Sequence, residues 1–143
     1  MEKVQPAAER EGDAFHEITV AAKMERCESV CNWSEIAEGR AKIAMLSSGE
    51  RVAVFRHEGA LSAISNACAH QNGPLGEGRI IACLVTCPWH GFQYDVRTGR
   101  SPAPFTETIP TYDLRIEGDQ VFVRTEPHQP GPPVEPVTVP EGA

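Results

Sequence analysis

From residue 40 onward the chain alternates short apolar runs with turn-forming residues. RAKIAML (40–46) leads through SSGE into RVAVFR (51–56), and HEGA turns the chain into LSAIS (61–65). Further on come RIIACLVT (79–86), GFQYDV (91–96), TYDLRIE (111–117) and QVFVRT (120–125). Their β-branched content, partial period-two alternation and the turn pairs Ser48-Gly49, Glu58-Gly59 and Gly118-Asp119 predict antiparallel hairpins. One helical turn is expected at SEIAEG (34–39), with Ser34 as its N-cap. The segment FHEITVAAKMERCESVC (15–31) is ambiguous, because Val20, Met24, Cys27 and Cys31 fall at helical spacing while FHEITV alternates like a strand. The fold class is all-β.

The ends read differently. Residues 1–14 are polar and featureless, and residues 126–143 hold six of the twelve prolines, which predicts an extended, mobile tail. Residues 15–125 form the expected domain, of a size that supports a core of its own. Net charge is -7, yet the two tails together carry -5 of it (four acids and two bases in 1–14, three acids in 126–143). The acidity is therefore weak support for an acidic docking face, and it argues against binding a phosphate backbone. No apolar run is long enough to span a membrane, and the N-terminus lacks the apolar core of a secretory signal, so a cytoplasmic location is expected.

Cysteine usage narrows the chemistry. Five cysteines (27, 31, 68, 83, 87) without a secretory signal argue against a disulfide framework. Cys83, inside an apolar run, reads as a small buried hydrophobe. Cys27 and Cys31 have the spacing of a pair but no nearby partners. His16, His57 and His128 are isolated and read as ordinary surface histidines, too weak a set for an iron-binding triad. What remains is Cys68-x-His70 and Cys87-x-x-His90, with sixteen residues between the pairs. In extended chain the first pair points both side chains one way, and Pro88 stiffens the second. Gly73, Gly76, Gly78 and Gly91 flank the pairs and let backbone N–H groups approach closely. Two such tips can pinch a metal centre. Two Cys and two His could form a closed zinc site or hold a [2Fe–2S] cluster. Loops that each mix one thiolate with one imidazole suit a dinuclear centre.

C-A-H-Q-N-G-P-L followed by C-P-W-H-G-F-Q-Y-D resembles the two cluster-binding boxes of Rieske iron–sulfur proteins, with the likeness running from about Trp33 to Thr125. The resemblance implies the Rieske fold, three stacked antiparallel sheets with both boxes at one tip. It implies that Cys68 and Cys87 ligate an inner iron and His70 and His90 an outer one near solvent. Leu75 and Trp89 would pack over the cluster, and Ser101-Pro102-Ala103-Pro104 resembles a proline loop that shields the site, with Pro104 beside it. Two thiolates on one iron and neutral imidazoles on the other would localise the added electron on the His-ligated iron.

High-potential relatives carry an additional disulfide across the boxes and a serine after the second His. Here the corresponding residues are Gly73, Trp89 and Phe92, while the Tyr94 hydroxyl could still donate to a cluster sulfur. A potential in the lower Rieske range is expected, roughly -150 to 0 mV. The chain has no room for a mononuclear iron domain and shows no flavin or dinucleotide loop. It therefore resembles a Rieske-type ferredoxin, a one-electron shuttle between a flavin-type reductase and an oxygenase or other terminal enzyme, docking transiently. Two alternatives stay open: a small Rieske subunit of a larger oxidoreductase such as nitrite reductase, and a structural zinc interaction module.

Overall fold

A computed structural model describes residues 27–69 and 71–140, so the ambiguous segment before Cys27, the N-terminal tail, His16 and His70 lie outside the described residues. Eleven strands are found there: β1 (Cys27–Asn32), β2 (Ala41–Met45), β3 (Arg51–His57), β4 (Ala60–Ser65), β5 (Arg79–Ile81), β6 (Leu84–Thr86), β7 (Gln93–Asp95), β8 (Thr111–Tyr112), β9 (Leu114–Glu117), β10 (Gln120–Arg124) and β11 (Val137–Thr138). They form three antiparallel sheets: β1-β10-β9, β11-β4-β3-β2 with β8 also on β4, and β5-β6-β7. The all-β expectation and the three-sheet Rieske architecture both hold.

The middle sheet explains why VAVF is a continuous apolar run and LSAI nearly one, its Ser62 paired with His57. A strand covered on both faces has no solvent side to carry polar residues. Side chains alternate between two cores: Val52 and Val54 face the base, with Leu61, Val121 and Val123, while Ala53 and Phe55 face the opposite core. That second core contains Cys68, Cys87, Leu75, Val85 and Tyr94. The middle sheet is thus the floor of the candidate site. The β3–β4 turn, Glu58-Gly59, has positive φ at both positions (55° and 77°), the geometry that matches strand twist in a two-residue hairpin.

Several expectations are corrected. RIIACLVT is two strands, because Ala82 adopts a left-handed φ of 58° and Ile81 pairs with Leu84 across a two-residue turn. Cys83 consequently sits half-buried in that turn instead of within a strand. TYDLRIE is also divided: β8 joins β4 while β9 joins β10, with Asp113 at the crossing between sheets. The turn at 34–39 is shorter and earlier, a 3-10 helix at Trp33–Glu35 capped by Asn32, whose side chain accepts the Ser34 N–H at 3.0 Å. His57 is buried, 4% exposed, with Nε2 3.0 Å from the Ser62 hydroxyl. His128, half-buried, pairs with Asp113 at 2.8 Å.

Residues 126–140 of the proline-rich segment are extended but are not loose from the domain. His128 exchanges backbone hydrogen bonds with Thr111, Val134 N–H donates to Arg97 O, and β11 pairs with Leu61 and Ala60. Val139, 6% exposed, enters the base core. Proline spacing signals extended chain; it does not reveal that two of the residues between prolines, Val137 and Thr138, can complete a sheet edge.

Candidate metal centre

The first box is a loop closed at its neck. Asn66 donates its N–H to Arg51 O (2.9 Å), accepts Leu75 N–H at its carbonyl (2.8 Å), and accepts Gly76 N–H at Oδ1 (2.7 Å). Inside that neck Cys68 N–H donates to Gly73 O and Asn72 N–H to Cys68 O, both at 2.9 Å. Gln71 and Asn72 are both left-handed (φ 65° and 60°), a conformation that short polar residues tolerate better than most. Leu75, carried by the 3-10 helix Leu75–Glu77, is fully buried beneath the loop.

The second box closes β6 onto β7. Cys87 N–H donates to Phe92 O at 2.7 Å and Gly91 N–H to Cys87 O at 3.0 Å, with Gly91 at φ 80°. Pro88, Trp89 and His90 therefore occupy the tip of the turn, and His90 is exposed. Both cysteines are walled in, at 1% and 2% exposure, and both belong to the same core. The backbone amides of Trp89 and His90 act on the Cys87 thiol from the tip of the turn. Desolvation pushes its pKa up, opposed by those two amides.

Tyr94, fully buried on β7, places its hydroxyl 3.2 Å from Cys68 Sγ and accepts the Ala69 N–H at 3.1 Å. With its lone pair engaged by the amide, its own proton is free to point at the sulfur. Burial first, and then the Cys68 thiol, raise the Tyr94 pKa above the ordinary phenol range, so the hydroxyl stays a donor. Gly73 completes the cradle: a Cβ there would lie 2.6 Å from Cys87 Sγ. Buried sulfurs lined by amide and hydroxyl donors, next to backbone with no side chain, are the environment an anionic iron–sulfur centre requires. The donor set fits that group.

The structure brings Cys68, Cys87, Gly73, Leu75 and Tyr94 together, with His90 at the surface. Among the described residues no three His, Cys, Asp or Glu side chains are drawn into one metal-binding group; His70, the fourth predicted ligand, lies outside those residues. Trp89 is 55% exposed at the rim, with its ring beside Gly73. In the proline loop, Pro102 and Ala103 line a groove with His90, while Pro104 itself points to solvent. Asn66 and the amides of Trp89 and His90 carry no sequence signal of their own, since backbone donors and a neck-closing carboxamide are visible only once the loop is folded. Cys31 is buried in the base core, where desolvation raises its thiol pKa to about 11, and Cys27 is half-buried on the same strand.

Comparison with known proteins agrees with this architecture. Residues 27–113 match the Rieske [2Fe-2S] domain. The chain belongs to the Rieske [2Fe–2S] family, and its cofactor is a [2Fe–2S] cluster. Within that family it is similar to the ferredoxin component of the naphthalene 1,2-dioxygenase system of Pseudomonas aeruginosa, 34% identical over 90 residues, 62% of this chain and 86% of the relative. The ferredoxin component of the p-cumate 2,3-dioxygenase system of Pseudomonas putida is 31% identical over 101 residues, 69% of this chain and 86% of the relative. Among solved structures, the ferredoxin of carbazole 1,9a-dioxygenase from Nocardioides aromaticivorans IC177 superposes with a TM-score of 0.65 at 27% identity, covering 70% of this chain and 98% of the other. The chain is a Rieske-type ferredoxin by fold and family, a carrier of single electrons. No helix among the described residues is long and apolar enough to cross a membrane.

Proposed function

We propose that Cys68, Cys87, His70 and His90 hold the cluster, and that the protein carries electrons from a flavin-containing reductase to the terminal oxygenase of a multicomponent dioxygenase. The observation that carries this reading is the asymmetry of the site: two thiols buried beneath the loops, and an imidazole of the same constellation exposed at the tip. The cluster supplies a one-electron couple when bound. The chain's own residues do the rest. Cys68 and Cys87 anchor it from below; Tyr94 and the Trp89 and His90 amides stabilise negative charge on the sulfurs; Leu75 and Phe55 keep water from the buried side. His90 offers the short route to a partner. The ferredoxin components of the naphthalene and p-cumate dioxygenase systems, which this chain nearly spans, support an oxygenase as acceptor over a fixed subunit of a larger enzyme.

Iron and acid-labile sulfide analysis of anaerobically purified protein should give two of each per chain, as the family's [2Fe–2S] centre requires. His70→Ala and His90→Ala should each lose that stoichiometry. Voltammetry should place the couple at roughly -150 to 0 mV. A potential well above zero would overturn the assignment to this partner class. Stoichiometric co-purification with one large subunit would overturn the free-carrier role.

A further inference from the structure

The segments that build the tip share a property that spacing and family do not require. Residues 66–76, 87–94 and 101–106 contain no Asp, Glu, Lys or Arg, although the chain as a whole has a net charge of -7. On the surface of the same tip stand two large exposed apolar side chains, Trp89 at 55% and Phe105 at 60%. Phe105 is held against Phe92, ring centroids 6.0 Å apart and tilted by 52°. These two rings, with Pro102 and Ala103, form an apolar groove that ends at His90. None of the residues lining this groove is charged, whereas Trp89 lines a separate hollow with Glu50 and Arg51; an exposed apolar groove of this kind marks an association site.

Resting on the carrier reading, we infer that this groove receives an apolar side chain from an uncharged patch of the redox partner, and that docking there proceeds without ion pairs. The occupant follows from complementarity. A charged group seated in the groove would be desolvated against an uncharged lining and find no counter-charge there. An apolar projection loses only its hydration. The protein's acidity lies mostly in its terminal segments, so the exit patch for the electron is electrically unlike the molecule that carries it.

Small inorganic acceptors read this directly, without a biological partner. Reduced protein, its cluster verified by electron paramagnetic resonance, is mixed with ferricyanide, hexaammineruthenium(III) and tris(phenanthroline)cobalt(III) from low to moderate salt. A neutral exit patch predicts that the rates with the anion and with both cations change by no more than about twofold once the Debye length is shorter than the tip, about 10 Å at 0.1 M. Phe105→Glu should give cation rates that fall with salt and Ala103→Lys should give the opposite; both positions are exposed, and two variants guard against one failing to fold. Phe105→Ala should slow the apolar cobalt complex several-fold and leave the hexaammine complex unchanged. Salt slopes with the sign of a strongly negative protein, more than tenfold over the range, would overturn the uncharged patch and leave the carrier reading intact. Equal slowing of both cations by Phe105→Ala would overturn the apolar contact. A dimer in sedimentation that Phe105→Ala dissociates would show that a second copy, not a redox partner, covers the groove. Absence of a reducible cluster signal would overturn the carrier reading, and this inference with it.

Discussion

Tyr94→Phe removes one oxygen and leaves the rest of a fully buried ring in place. Packing changes little, because the phenyl ring keeps its volume. Two hydrogen bonds are lost: the hydroxyl's contact with Cys68 Sγ at 3.2 Å and the Ala69 N–H it accepts at 3.1 Å. A hydrogen bond to a charged acceptor is worth about 1.5–3 kcal/mol. If the bond were felt only in the reduced state, its loss would lower the potential by roughly 60–130 mV, since a one-electron couple shifts about 59 mV for each tenfold, or about 1.4 kcal/mol. The added electron is proposed to reside on the His-ligated side and Cys68 to hold the other iron, so the measured drop should be a fraction of that ceiling, about 30–80 mV. Protein-film voltammetry at constant pH measures it, with iron content confirming that the cluster is retained. A potential within about 10 mV of the wild type would refute the reasoning, because the hydroxyl would then not be donating to the sulfur in the loaded protein.

Gly73→Ala should expel Cys87 from its place: the new Cβ would lie 2.6 Å from Sγ against an ordinary contact of at least 3.4 Å, an overlap of 0.8 Å (3.4 minus 2.6). Overpacking of this kind costs about 1–3 kcal/mol, and it falls on a proposed ligand, so iron and sulfide content should drop before the apoprotein's melting temperature does. Deleting everything after Thr125 removes β11 and the Val139 contact with the base core; loss of about 2–3 kcal/mol, read as a melting temperature lower by roughly 5–15 °C, should leave the visible spectrum unchanged. Burial lowers the pKa of His57, so the folded protein resists the proton that the unfolded chain takes up near pH 6.5. That group's contribution is complete above about pH 6.5 and is lost as pH falls through the window below it, by up to about 1.4 kcal/mol per pH unit. His57→Gln should flatten the urea-denaturation stability profile of the protein between about pH 6.5 and 5; a parallel profile would show that His57 is not the group responsible.

What could be read without coordinates depended on whether a signal was local. RVAVFR and LSAIS declare themselves because their burial on both faces leaves no polar position to confuse the pattern. The two Cys/His boxes were legible for a different reason: few other roles demand a thiol and an imidazole at that spacing twice. RIIACLVT misleads because its turn rests on Ala82, which carries no glycine or asparagine to mark a left-handed residue. TYDLRIE misleads because the chain changes sheets at Asp113 without losing its extended conformation. His57 has the polarity of a surface residue, and only the nearby Ser62 hydroxyl makes its burial tolerable. The neck at Asn66 is invisible in principle, since its partner Gly76 is ten residues away and contributes only a backbone N–H.

Among the described residues, the burial of Cys68 and Cys87 beside an exposed His90 points to one doorway, the tip. Donor and acceptor must both use it, so loading and unloading take turns, and no three-protein assembly can pass the charge straight through. The throughput of such a relay is then capped by how quickly each visitor leaves. Affinity differences between related complexes lie mostly in dissociation rates, so a tighter grip at this tip would slow the traffic it serves. Weak association is, for this geometry, a working requirement.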